Sequence, residues 1–425
     1  MTGSVPMAAS TAPAFDAAAI ARLSESRDEP EWLRDLRLAW WARAEELGWP
    51  TGQEEEWRRV SLADLPRDGA LLADAEFRPY APDVRLAEQG VIFTDLAPAV
   101  REHPDLVREH LGHGEPPPSH AGLWARSLAA WTSGTFLYVP PKVEIDGTLI
   151  ARISQARADA TFLPHSLIVA DEGASLRLME ELVSPDGQAG WFGGTVDIVA
   201  RSHSRIRYAN LQQLGDGVWN LGAQRVEVGR NADVTTLNTE VGSKVTKLGV
   251  DVRMTGTGGT SLLLGLTAAG DGQMIDINTV QDLANDHTTS DLLYLSALYE
   301  AAHSAFYGVT RVRHGTRQTS SYQECRNLLL SPNAGAEPIP VLEIEANDIL
   351  RCGHGATAGA VDPVQLFYAQ SRGLDHEAAE QMIVRGFFEQ VMGRISDEPI
   401  RSAMLAALAD RIGHADIADA GDQAA

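Results

Sequence analysis

The feature that most constrains the fold is a motif that recurs through the middle of the chain, where a turn and a small residue lead into a short apolar strand. It occurs at residues 173–176, 202–206, 231–234 and 259–262, and the last residues of successive copies are 30, 28 and 28 apart. A unit of roughly 28 residues made of short strands and tight turns suits one coil of a β-solenoid. An ordinary β-sandwich is the alternative. The next candidate copy, at residues 302–306, comes late, which predicts an insertion or an irregular coil before it.

The sequence changes from helical to strand patterns near Gly134 and back again after residue 350. Short strands separated by Gly, Asn, Asp and Ser are predicted at residues 136–139, 149–153, 167–170, 176–180, 196–199 and 206–211. The predicted regions are an N-terminal, mostly helical region with a flexible start (1–130), a strand core (131–350), a C-terminal helical region (351–412) and a loose tail (413–425).

Helices are predicted on both sides of the strand core. The first runs from residue 31 to residue 47, with Trp32, Leu36 and Trp40 on its apolar face. After the core, Asp362 is a good N-cap and Pro363 fits the first turn, so a helix is predicted over residues 363–372. A second is predicted from about residue 375, with Met382, Ile383 and Phe387 on its buried face, and a third after Pro399.

Charge and composition exclude several classes of function. The formal net charge is −23 and no basic stripe occurs, which argues against nucleic acid or an anionic membrane as the main partner. The N-terminal residues lack the basic leader and apolar segment of a secretory signal, and no apolar run is long enough to span a bilayer. Two cysteines do not make a disulfide framework. We therefore expect a cytoplasmic protein with free thiols.

Cys352 and His354 are the one place where a thiol and an imidazole lie together. If the segment is extended, their i, i+2 spacing puts both on the same face, and the pair suits zinc or iron. Two ligands do not fill a four-coordinate site. Either another chain completes the site, or the pair is structural. The neighbouring Gly353 and Gly355 are interpreted as turn residues, and the histidines of the loop at residues 110–120 as solvated.

Several segments around this pair resemble a known family. They are Ser321-Tyr322-Gln323, Arg326-Asn327-Leu328-Leu329-Leu330-Ser331, Leu342-Glu343-Ile344, Cys352-Gly353-His354-Gly355-Ala356-Thr357, Leu366-Phe367-Tyr368 and Ser371-Arg372-Gly373. Together they resemble the SufB/SufD family of iron–sulfur cluster assembly proteins, and within it the SufD type. The match is closest over residues 286–395. Gly353 replaces a serine that is common in the family.

The resemblance implies a mainly β fold, with a right-handed parallel β-helix between helical N- and C-terminal regions. It implies a non-catalytic scaffold subunit that pairs with SufB through the β-helix and docks the SufC ATPase on its C-terminal helical region. His354, with Cys352, falls where the nascent cluster is built in an interface with SufB, and the residues that would meet SufC are Phe367, Tyr368, Arg372 and Gly373. A reduced flavin on the complex, and self-association without SufB, are left open.

Two alternatives compete with this interpretation. A SufB-type subunit is disfavoured because His354 is followed by Gly355-Ala356-Thr357, as in SufD relatives, and because cysteines are few. A β-helix carbohydrate-active enzyme would carry clustered carboxylates on successive coils and would usually be exported. The absence of a secretory signal argues against it. No phosphate-binding loop occurs either, so we expect ATP to be hydrolysed by a partner.

Overall fold

The computed structural model describes residues 16–411, apart from residues 66–70, 82, 156, 158–159, 186, 188 and 271. The flexible start and the loose tail predicted from the sequence lie outside the described residues. The helices are α1 (Ala17–Ser26), α2 (Glu31–Leu47), α3 (Leu96–Glu102), α4 (Pro104–His110), α5 (Ala121–Ala130), α6 (Pro363–Ser371), α7 (His376–Met392) and α8 (Glu398–Arg411). No helix in these ranges is long and apolar enough to cross a membrane.

Twenty-one strands are described. The first eleven are β1 (Leu71–Leu72), β2 (Glu76–Tyr80), β3 (Ile92–Asp95), β4 (Thr135–Val139), β5 (Leu149–Ser154), β6 (Ala160–Phe162), β7 (His165–Ala170), β8 (Ser175–Val183), β9 (Ala189–Phe192), β10 (Thr195–Ala200) and β11 (Arg205–Gln213). The others are β12 (Gly217–Val228), β13 (Asp233–Glu240), β14 (Val245–Met254), β15 (Thr260–Ala269), β16 (Met274–Leu283), β17 (Thr289–Leu298), β18 (His303–Val312), β19 (Arg317–Leu329), β20 (Gly335–Ile344) and β21 (Asp348–Ala360).

These strands build a parallel β-solenoid of about eight turns, which confirms the predicted fold class. Each coil gives one strand to sheet A, whose main path is β20-β18-β16-β14-β12-β10-β7-β4-β3, and one to sheet B, ordered β2-β5-β8-β11-β13-β15-β17-β19-β21. The predicted insertion before residues 302–306 is wrong. Thr260 on β15 aligns directly with Thr289 on β17, and residues 303–306 are the start of β18 on the other sheet.

The main core fills the lumen between the two sheets, because alternate residues of every strand face inward. Inward positions in consecutive coils stack on one another, as Ile206 and Val234 do on β11 and β13. Burying each aliphatic side chain contributes about 1.5–3 kcal/mol. A single coil cannot exclude water from such a row, so the core depends on stacking.

The two ends of the solenoid differ. At the N-terminal end β2 and β3 pair antiparallel with β5 and β4, and so cover the first coil. These strands lie in the region predicted to be mostly helical. Its polar sequence lacks the apolar alternation from which a strand is predicted. At the C-terminal end β20 and β21 are the outermost strands of their sheets among the described residues. Strand β21 continues to Ala360, so the predicted boundary at residue 350 falls inside it.

The N-terminal helices pack on the outer face of sheet A. Helix α2 has the predicted bounds, but its most buried face is offset by one residue and contains Leu33, Arg37 and Trp41. Arg37 is buried because it pairs with Glu29 at 2.8 Å and lies 4.3 Å above the ring of Trp131. A hydrophobicity pattern does not place a charged residue inward, which explains the offset.

Of the loop histidines predicted to be solvated, His113 is exposed, but the prediction is wrong for the other two. His110 and His120 are buried, although the sequence suggested a solvated loop, and burial lowers the pKa of both rings. The ring of His120 lies against Gly249 on β14, where a Cβ atom would come within 2.4 Å of it. The loop is therefore part of the packing between the N-terminal region and sheet A.

Helices α7 and α8 cover the outer face of sheet B. Their buried residues include Val384, Phe388 and Met404, which pack on Leu264 and Leu266 of β15. Helix α6 has the predicted bounds to within one residue, and α7 and α8 begin within two residues of the predicted starts. The buried face of α7 is shifted by one residue from the predicted face. Its sequence has apolar residues at consecutive positions, so the apolar pattern is compatible with either of two adjacent helical faces.

Candidate functional site

Cys352 and His354 lie on β21, at the open end of the solenoid. The register of β21 with β19 places Cys352 beside Ser321 and His354 beside Gln323. Ser321 and Gln323 are fully buried on the inward face of β19. The two candidate ligands therefore share the inward face of β21, at the rim of the lumen. Cys352 is half-buried there, and His354 is exposed.

The pair is chemically incomplete as a metal site. Burial raises the pKa of the Cys352 thiol, so at neutral pH the sulfur carries its proton until a metal or another cation displaces it. Within the part of the chain that the structure describes, no group of three or more His, Cys, Asp or Glu could hold a metal ion. Two donors leave half of a four-coordinate shell unfilled.

Cys325 does not complete the site. It lies on β19 beside Ala356, four residues along the strand from the position opposite Cys352, a separation of roughly 13 Å. Burial raises its pKa to about 12, and Asn327 lies 3.6 Å from its sulfur. Cys325 is therefore a core thiol.

The backbone around His354 is strand, which corrects the interpretation of Gly353 and Gly355 as turn residues. Both glycines face the outer side, where the ring of Tyr322 on β19 covers them. A Cβ atom on Gly355 would lie 3.2 Å from the hydroxyl of Tyr322. Arg351 lies 5.0 Å from the centroid of that ring and donates to Asp291 at 2.7 Å. These contacts pack the outer face of β21 against β19, on the opposite side of the strand from the candidate ligands.

A second candidate surface is α6, which follows β21 directly. Ala369 is the one side chain that this helix buries. Phe367 is 71% exposed and Tyr368 is 59% exposed, although both are large and apolar. Arg372 donates to the hydroxyl of Tyr368 at 2.9 Å. Gly373 ends the helix with a φ of +101°, a conformation that favours glycine.

Sequence reasoning missed part of this surface. Val364, which shares a helical face with Phe367, is exposed as well, and so are Leu374 after α6 and Met382 on α7. The sequence pattern predicts Met382 on the buried face of α7, whereas the structure leaves it 50% exposed. The signal was available in α6, because Val364 and Phe367 are three residues apart and fall on one helical face. For Leu374 and Met382 the sequence offers no signal that separates an exposed apolar residue from a buried one.

Comparison with known proteins assigns the family. Residues 152–387, from β5 into α7, match the model of the SUF system FeS cluster assembly SufBD core domain. The chain belongs to the SufBD family. The SufBD core thus includes β21 with both candidate ligands, and α6.

Curated relatives in the SufBD family extend the likeness to most of the chain. SufD of Bacillus subtilis, an iron–sulfur cluster assembly protein, is 27% identical over 428 residues, which cover 92% of this chain and 96% of the relative. A SufBD family protein of Staphylococcus epidermidis is 26% identical over 407 residues, with 87% of each chain covered. The chain is therefore SufD-like, an iron–sulfur cluster assembly protein of the SufBD family. The carbohydrate-enzyme alternative loses its basis.

Proposed function

We propose that this chain is a non-catalytic SufD-type subunit, which forms a heterodimer with a SufB subunit, docks the SufC ATPase and presents His354 where a nascent iron–sulfur cluster is built. The observation that carries the proposal is the position of two candidate metal donors on the inward face of β21, which pairs with β19 on one side and leaves its other edge free among the described residues. Such a half-site functions only when another chain supplies the remaining ligands. The cytoplasm, where thiols stay reduced, is the compartment that this chemistry requires.

The free edge of β21 supports the SufB interface. The amide of Ser320 on β19 donates to the carbonyl of Thr288, just before β17, so alternate amides from Ser321 onward face β21. With Ser321 opposite Cys352, the amides of Cys352 and His354 face the free edge. A partner strand can bond to them without interruption.

Strand β20 offers a poorer edge. The amide of Gly335 donates to Ala302, just before β18, and the amide of Glu345 donates to Val312 at the end of β18, so even-numbered positions of β20 face outward. Two of these positions are Pro338 and Pro340, which have no amide proton. We therefore propose that the strand pairing with SufB runs along β21, beside the candidate ligands.

The exposed face of α6 supports the SufC surface. A helix of nine residues that buries one alanine has little stability of its own. Exposed aromatic residues on such a helix are the anchors that partner surfaces bury. Phe367 and Tyr368 would fill this role, while Arg372 fixes the ring of Tyr368 and Gly373 shapes the turn toward α7.

The experiment is co-purification of the tagged chain with SufB and SufC, followed by anaerobic cluster reconstitution with iron counting. We expect a ternary complex, and failure to form one contradicts the proposal. His354→Ala should keep the complex and lower cluster assembly. His303→Ala, an exposed histidine on β18, is the matched control and should change neither. Unchanged assembly in His354→Ala would remove the ligand role.

The SufC surface has its own test. Tyr368→Ala should weaken SufC binding while SufB pairing is kept, because α6 lies outside the solenoid. Tyr80→Ala is the matched control, since Tyr80 is 61% exposed at the opposite end of sheet B. Equal SufC affinity in the two variants would refute this surface.

A further inference from the structure

Gln323 is an unexplained polar side chain one strand below the rim. It is 0% exposed, and neither its amide nitrogen nor its amide oxygen has a hydrogen-bond partner among the residues that the structure describes. Its side chain crosses the lumen to Gly308 on β18, where a Cβ atom would come within 2.5 Å of Nε2. Because Gly308 has no side chain, the amide of Gln323 fits into the lumen, one coil inward from the open end of the solenoid.

A glutamine deeper in the lumen shows that this orphan amide is not imposed by the fold. Gln281 on β16 donates to the carbonyl oxygen of Ser290 at 2.8 Å, and accepts from the hydroxyl of Thr310 at 3.1 Å. A buried amide without partners costs free energy, while a leucine of similar size would not. The buried amide of Gln323 thus carries a free-energy cost that the hydrogen bonds of Gln281 remove. The position of Gln323 beside His354 indicates that the imidazole is its hydrogen-bond partner.

We propose that Gln323 is a positioning residue for His354, which accepts a hydrogen bond from the imidazole when the open end is covered and a metal is bound. The inference rests on the proposed function, since covering of the rim is what turns the exposed ring inward. The two residues occupy paired positions on adjacent strands, about 4.8 Å apart. The flexible side chain of Gln323 lets its amide move from Gly308 to the ring.

The hydrogen bond has a defined chemical role. A neutral imidazole has one N–H group and one nitrogen with a free lone pair. When the N–H donates to Oε1 of Gln323, the tautomer is fixed and the other nitrogen is aimed at the rim, beside the sulfur of Cys352. Loss of such a supporting hydrogen bond lowers metal affinity by about 10- to 100-fold in other metal sites.

The test uses Co²⁺ as the probe, titrated anaerobically into the chain alone and into its co-purified complex with SufB, with absorption spectra and thermal unfolding recorded. We expect Gln323→Leu to weaken His354-dependent Co²⁺ binding about tenfold without lowering Tm, because leucine removes the orphan amide. Gln323→Glu keeps an acceptor oxygen and should recover the affinity. Gln224→Leu is the matched control, since Gln224 is also buried in the lumen but lies on β12, and it should bind Co²⁺ like the wild type.

The outcomes separate the two proposals. If His354→Ala binds Co²⁺ like the wild type, or if the wild type binds none in either state, the half-site itself is refuted and the role of Gln323 with it. If His354→Ala loses binding while Gln323→Leu keeps it, the positioning role alone is refuted. A lower Tm in Gln323→Leu, with a matching loss of Co²⁺ binding in Gln224→Leu, would show a structural role and overturn the inference.

Discussion

Glu240 offers the sharpest test of the energetics of the lumen. It ends β13, faces inward and is fully buried next to a cavity of about 30 Å³, which Tyr208 and Asn238 also line. Burial raises its pKa from 4.5 to about 8, against the weaker opposing effect of hydrogen bonds from Gln212 and Asn220. The carboxyl group is therefore protonated in the folded protein at neutral pH. In the unfolded chain it is ionised.

The difference in protonation between the folded and unfolded states makes the buried Glu240 destabilising at neutral pH. Between pH 4.5 and pH 8 the folded state binds a proton that the unfolded state has lost, so the free energy of unfolding falls as pH rises. The slope is about 1.4 kcal/mol per pH unit, which gives about 3 kcal/mol at pH 7 and about 5 kcal/mol above pH 8. Glu240→Gln has a similar shape and no charge to lose. We expect it to match the wild type near pH 4.5 and to be more stable by about 3 kcal/mol at pH 7.

The assay is urea unfolding of both proteins at several pH values from 4.5 to 8.5. Most pH dependence is shared by the two proteins, so the quantity to follow is the difference between their free energies of unfolding. Glu88→Gln, a change on an exposed residue, is the control and should give a difference near zero throughout. A Glu240→Gln difference that stays flat with pH would show that the buried carboxyl is ionised, and would refute the reasoning.

Three further predictions concern buried groups, each measured as a change in the free energy of unfolding at pH 7. Glu180→Gln should destabilise by about 1–3 kcal/mol, because Glu180 accepts from the hydroxyls of Ser166 and Tyr208, both at 2.7 Å; a more stable variant would contradict this. Lys247→Met should lower the free energy of unfolding by about 3–5 kcal/mol, because it leaves the carboxylate of Asp276 buried without the ammonium group that lies 2.9 Å away. The double variant with Asp276→Leu should recover most of that stability. Met404→Ala should cost about 2–5 kcal/mol, because Met404 is fully buried between α8 and sheet B, and a loss below 1 kcal/mol would mean that α8 is loosely docked.

The solenoid could be predicted from the sequence because its determinants are local and repeated. Turn residues and apolar alternation recur in each coil, and Asn231 shows why, since its φ of +53° marks a left-handed turn position that the repeat reuses. The assignment of strands to two sheets could not be predicted, because the copies in both sheets look alike. That ambiguity produced the false insertion before His303.

The candidate site was only partly predictable. The i, i+2 spacing of Cys352 and His354 requires nothing beyond extended backbone to put both on one face. The orphan amide of Gln323 depends on the absence of a side chain at Gly308, fifteen residues earlier and on the other sheet. Contacts across the lumen are set by how the coils stack, so no local pattern in the sequence reports them.

At the open end of the solenoid, an uncovered part of the core lies close to the incomplete metal site. Leu350 and Ile344 are exposed at the rim, so among residues 16–411 as described, nothing covers the core of the last coil or adds ligands to Cys352 and His354. Helices α7 and α8 do not supply that cover, because they pack on the outer face of sheet B. A partner that buries Leu350 must also approach the candidate ligands, since all three residues lie on β21. Cluster binding and subunit pairing should therefore be energetically coupled. We expect Leu350→Asp and His354→Ala to show non-additive effects on cluster assembly, measured as a double-mutant cycle, and strict additivity would mean that the two functions occupy separate surfaces.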